Sequence, residues 1–128
     1  MITEDYVSFE TAKLLKEKGF DEFCRAHYDI TNGNLYYEKV EVEASGCEMH
    51  NSVLAPTLQM AMKWLREEKG IAVIPVLSSI LDNEKFLWDI KIVVAKTNDS
   101  YSQGWVYEEQ EDAFEMAIKY CLKNLIET

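Results

Sequence analysis

A chain of 128 residues with 48% hydrophobic and 12% aromatic content can bury roughly two thirds of its unfolded surface, so a single domain spanning 1–128 is expected, with no metal or disulfide needed for stability. The formal net charge of −10, from 23 acidic against 13 basic residues, lacks the cationic footprint that grips a phosphate backbone, and no direct nucleic-acid binding is expected. The start, Met1-Ile-Thr-Glu-Asp5, has no basic or apolar leader segment, and the longest apolar run, Ile71 to Leu77, is far short of the ~20 residues that cross a bilayer, so a cytoplasmic protein outside the membrane is expected.

In chain order, Ser8 is placed to cap a first helix that runs to Lys18, with Gly19 as its stop. Ala12 and Leu15 form its inner stripe, flanked by Phe9 and Leu14. Lys13, Lys16 and Lys18 alternate there with Glu10 and Glu17 and read as a solvated face. Asn32-Gly33-Asn34 is a turn, and Leu35 to Val42 follows as a strand whose valines alternate with charged residues, giving it one wet face. Pro56 or Thr57 opens a second helix on which Leu58, Ala61, Met62 and Leu65 recur at three and four; Met60 and Trp64 widen this stripe and Gly70 closes it. Ile71 to Leu77 then reads as a short strand, and Pro75, which has no N–H, places it at an edge or a bulge. After a turn at Asp82-Asn83, Phe86 to Ala95 alternates Trp88, Ile90, Ile92 and Val94 against Asp89 and Lys91, turns through Thr97-Asn98-Asp99 and returns through Gln103 to Tyr107 as a hairpin. The last helix begins in the acidic run Glu108, Glu109, Glu111 and Asp112, which complements its own dipole, and carries the stripe Ala113, Phe114, Ala117, Ile118, Cys121, Leu122, Leu125 and Ile126.

The order α-β-α-β-β-β-α with direct connections predicts an α+β fold of two layers: a mostly antiparallel sheet of three to four strands, with helices packed on one face. The other face would carry Glu41, Glu43, Asp89 and Lys91 and stay wet. Tyr36, Tyr37 and Trp105 would leave it enough aromatic area for a homodimer contact.

Both histidines follow a cysteine by three residues, in Cys24-Arg-Ala-His27 and Cys47-Glu-Met-His50. Two cysteines and two histidines make a full tetrahedral set for zinc, and a bound ion would staple the ends of the segment between the first and second helices. The preferred reading is structural: Cys24 as a small apolar filler near the end of the first helix, and the histidines as exposed loop residues. Cys121 lies on a helix stripe and reads as core, and the odd cysteine count suggests reduced thiols. A third reading makes Cys24 or Cys47 a nucleophile activated by His50 or His27 and oriented by a carboxylate such as Asp29. No oxyanion-hole signal accompanies it, and the chain has no Gly-rich phosphate loop, no Gly-x-Ser-x-Gly elbow and no His-Glu-x-x-His helix. No catalytic residue, cofactor or resident metal is therefore assigned, and an enzyme is not expected.

Three stretches are Tyr6-Val-Ser-Phe-Glu-Thr-Ala-Lys-Leu-Leu-Lys-Glu-Lys-Gly-Phe-Asp-Glu22, Ala55-Pro-Thr-Leu-Gln-Met-Ala-Met-Lys-Trp-Leu-Arg-Glu67 and the helix from Tyr107-Glu-Glu to Leu125-Ile126. Together they resemble a family of small proteins from gut-bacterial phages and prophage-like elements that has no assigned activity. The resemblance implies a phage-associated accessory protein and no mechanism. The expected function is a small acidic, non-catalytic interaction domain working on a protein partner or as a homo-oligomer. The alternatives are a zinc-stapled domain built on Cys24, His27, Cys47 and His50, and an acidic mimic of nucleic acid; the second is disfavoured because the carboxylates are scattered and interleaved with lysines.

Overall fold

The computed structural model describes residues 5–102, 104 and 106–126, without the side chain of Glu48. Its elements are α1 (Phe9–Glu17), β1 (Cys24–Asp29), β2 (Leu35–Val42), α2 (Ala44–Met49), β3 (Ser52–Leu54), α3 (Leu58–Lys69), β4 (Ile71–Leu81), β5 (Lys85–Val94), β6 (Asp99–Ser102) and α4 (Gln110–Tyr120), which ends in a π-helical turn, Cys121–Leu125. The fold is α+β with antiparallel pairing, as the sequence predicts. The strands form two three-stranded sheets, β2-β1-β3 and β4-β5-β6, where one sheet was expected. Gln103 and Trp105, expected in the returning strand and in an aromatic patch, lie outside the described residues.

The helices start and stop for local chemical reasons. The Ser8 hydroxyl accepts from Thr11 N at 3.2 Å and the Thr57 hydroxyl from Met60 N at 3.1 Å, each satisfying a first-turn N–H that has no partner inside the helix. Gly70 ends α3 in the left-handed region, φ 66°, and bonds its N–H to the Leu65 carbonyl.

The core is one continuous buried cluster. α3 and α4 lie on the β4-β5-β6 sheet, while α1 packs between β3 and α4. Leu15, Leu65, Ile71, Ile92, Ile118 and Leu122 are fully buried where these layers meet. Side-chain bonds tie α1 to the rest: Tyr28 donates its hydroxyl to the Val7 carbonyl at 2.6 Å, and Glu115 of α4 accepts from Ser8 N at 3.0 Å and from the Thr11 hydroxyl at 2.6 Å.

Three differences from the sequence reading have physical causes. β1, α2 and β3 occupy the stretch from Phe23 to Leu54 in which only Leu35–Val42 had been read as a strand. β2 matches those bounds but is an edge strand, exposed from Tyr36 to Glu41, and Val40 is 69% exposed. Its register against β1 jumps from Val42 opposite Cys24 to Tyr37 opposite Ala26, so Glu38 to Glu41 bow out, and of the alternating valines Val42 packs against the core while Val40 does not. Finally, Glu41 and Glu43 lie by the first sheet, while Asp89 and Lys91 lie on the second. They do not share the single wet face that was expected, and Tyr36 and Tyr37 sit on β2, away from the β4-β5-β6 sheet.

Candidate functional site

The cysteines and histidines singled out in the sequence are held by different elements and faces. Cys24 and His27 both belong to β1, neither beside the end of α1 nor in a loop. Along that strand Cys24 is buried, Arg25 exposed, Ala26 buried and His27 half-buried, so the three-residue spacing sends Cys24 toward the core and His27 to the opposite face. The Cys24 thiol lies 3.5 Å from the Glu22 carbonyl and 3.9 Å from Met60 Sδ. Burial pushes it up to about 12, with Cys47, Glu41 and Glu22 adding to the effect. Cys121, in the α4 stripe as expected, is pushed up to about 12 by burial as well. A thiol in that range stays protonated at neutral pH, and the thiolate is the nucleophile.

Cys47 is buried in α2, and His50 is exposed one residue beyond that helix. His27, Glu38, Glu41, Glu43, Cys47 and His50 line an open cavity of about 670 Å³, whereas Cys24 lines a different one of about 140 Å³. His27 Nε2 lies 2.9 Å from Glu38 Oε1, and its Nδ1 is buried without a hydrogen-bond partner. Among the described residues no group of three or more His, Cys, Asp or Glu side chains is arranged to hold a metal ion. The structure brings His27, Cys47 and His50 to one hollow and leaves Cys24 out of it.

The most unusual surface is one the sequence reading did not single out. β4 and β5 pair along ten registered positions, far beyond the helices that cover them. At the base, Ile71, Ile90 and Ile92 are buried. Directly opposite residues share a sheet face, so Val73/Ile92, Pro75/Ile90 and Leu77/Trp88 form the core-side row. A bulge between Leu77 and Ser79 keeps Ile80/Phe86 in that row past the edge of the body. There Leu77 is 47%, Ile80 54% and Phe86 54% exposed. The reverse face carries Ile74, Val76 and Leu81, each 42% exposed. The core-side row is thus apolar out to the tip, with Leu77, Ile80 and Phe86 exposed, whereas the reverse face sets Ile74, Val76 and Leu81 opposite Lys91, Asp89 and Lys85. At roughly 200 Å² per large side chain, Leu77, Ile80 and Phe86 leave on the order of 300 Å² uncovered on the core-side row, within the range for the largest patch on an ordinary monomer.

The backbone edge of this arm is guarded although its faces are not. The Gly70 carbonyl accepts from Ala95 N at 2.9 Å, and alternation from that bond leaves Pro75 opposite Ile90 in a non-hydrogen-bonded pair. The missing N–H of Pro75 therefore belongs to the open edge, where a further strand would need a donor. This fits the edge position that Pro75 suggested in the sequence, and the bulge beside Leu77 interrupts the same edge. The sequence signal for the arm is the uncharged run Ile71–Leu81, read there as a shorter strand ending at Leu77.

Among the described residues no helix is long and apolar enough to cross a membrane. Compared with protein-family models, curated proteins and solved structures, the chain matches none of them.

Proposed function

We propose that the chain is a small, non-catalytic interaction domain, and that the β4–β5 arm is the surface through which it meets a protein partner. The observation carrying this reading is the exposure of Leu77, Ile80 and Phe86 on a row that begins in the core. Apolar surface of this extent costs free energy in water and is offset when a partner covers it. The Cys24 thiol is buried and pushed up to about 12, it lies outside the hollow that His27, Cys47 and His50 line, and among the described residues no group of three or more His, Cys, Asp or Glu side chains is arranged to hold a metal ion, which favours binding over catalysis. The phage or prophage setting is part of the same proposal and rests only on the resemblance carried by Tyr6–Glu22, Ala55–Glu67 and the C-terminal helix.

The test is a double variant, Ile80→Glu with Phe86→Glu, compared with the native chain by native mass spectrometry of material taken from the producing cell. Both side chains are exposed, so the variant should keep its circular dichroism and melting temperature while losing any protein bound to the native chain. Complexes that survive the double variant, or a native chain that carries no protein even as a second copy, would sink the reading.

A further inference from the structure

The partner that best fits this arm is a second copy of the chain. Resting on the reading of the arm as a protein-contact surface, we infer that two molecules associate through their β4–β5 arms, by the apolar faces and not by the strand edges. Two observations point this way. The segment Ile71–Val94 carries Asp82, Glu84 and Asp89 against Lys85 and Lys91, so only one of the ten net negative charges resides there. Two strongly acidic molecules repel one another almost everywhere else, and the nearly neutral arm is where they can approach. Its tip carries both signs, with Asp82 and Glu84 in the turn beside Lys85, so a two-fold pairing can set unlike charges against each other. A face-to-face contact would cover the core-side row, on the order of 300 Å² per molecule and well under the about 800 Å² per partner of a standard interface, so the association is weak.

Edge pairing of β4 with its own copy is the obvious alternative, and Pro75 with the adjacent bulge opposes it. Face packing about a two-fold axis is left, and it closes as a dimer. The small area predicts a weak, reversible dimer. Added salt should tighten it, because screening removes the repulsion between the acidic bodies. A basic partner attracted to the acidic surface would show the opposite salt dependence.

Sedimentation equilibrium of the full chain over roughly 1 to 300 µM, at low and moderate salt, tests the inference. A mass that doubles with concentration, more readily at higher salt, is the expected result. Ile80→Glu with Phe86→Glu should stay monomeric throughout, while Val40→Glu, on an exposed residue of β2, should dimerise like the native chain. If the double variant fails to fold, Ile80→Glu alone decides. A native chain that is monomeric over the whole range overturns the inference, as does a dimer that survives the arm variant or is lost in Val40→Glu. A monomeric chain whose arm still holds a different protein would end the second-copy inference and leave the broader reading standing; a monomer with no protein on its arm would end both.

Discussion

Thr11 donates its hydroxyl to the Glu115 carboxylate at 2.6 Å, a bond across 104 positions of sequence that joins the first turn of α1 to the middle of α4. The same carboxylate oxygen accepts from Ser8 N at 3.0 Å, so one side chain serves both a helix cap residue and a fully buried threonine. Bonds to a charged acceptor are each worth about 1.5 to 3 kcal/mol, and losing this one leaves the Thr11 hydroxyl only the Ser8 hydroxyl at 3.1 Å. Glu115→Ala should therefore destabilise the chain by about 2 to 3 kcal/mol, lowering the melting temperature by roughly 5 to 10 °C. An unchanged melting curve would show that α1 is held by packing alone.

Glu10 makes the other α1–α4 link, to Lys123 at 3.2 Å and Lys119 at 3.3 Å. The hydrogen bond from Lys123, then that from Lys119, holds its carboxyl below the ordinary value of 4.5. A depressed carboxylate stabilises the fold above its unfolded value and loses that contribution as pH falls through the folded one. In an acid titration Glu10→Gln should therefore remove part of the loss of melting temperature below about pH 4.5. Because the pair is solvent-exposed, the effect at neutral pH should be small and should shrink with salt. A large neutral-pH effect would contradict the exposed geometry.

All three cysteines are buried, and burial pushes both Cys24 and Cys121 up to about 12. Thiol-specific reagents at neutral pH should label these two only as fast as the fold opens, and immediately in denaturant. Rapid labelling of Cys24 in the native chain would reopen the nucleophile reading that its burial opposes.

With Cys24 outside the hollow that His27, Cys47 and His50 line, purified untagged chain should hold less than about a tenth of an equivalent of zinc. A chelator should leave its melting temperature unchanged, and so should His50→Ala, whose side chain is exposed. One equivalent of tightly held zinc, lost in Cys47→Ala and His50→Ala, would show that these side chains rearrange into a site.

The three long helices were readable because their signals are local: Ser8 and Thr57 accept from the N–H groups three residues on, Gly70 takes a left-handed conformation, and the α4 stripe is buried from Ala113 to Leu122. Lengths and partners of strands were harder to read. β1 offers only Cys24, Ala26 and Tyr28 as an apolar alternation, and β3 has three residues. α2, six residues with Gly46 among them, has too little length for a periodic stripe. Whether β1 and β5 share a sheet is settled by long-range pairing that no window of sequence contains. The arm divides in the same way: its uncharged composition is plain from Ile71 to Leu81, but its lack of cover depends on where α3 and α4 stop over the sheet. The Cys-x-x-His spacing was equally visible, and its meaning changed once β1 proved to be a strand, where residues three apart face opposite ways.

Cross-linking from the arm tests the central claim most directly. A photoreactive phenylalanine analogue placed at Phe86, in the producing cell, should form cross-links to protein under illumination, and the same analogue at exposed Val40 should form few. Peptide mapping of mixed light- and heavy-isotope chains would place the contact, with Phe86 joined to β4 or β5 of the other copy as the expected product. Equal yields from the two positions, or no cross-link from Phe86 above background, would contradict the assignment of the β4–β5 arm as the interaction surface.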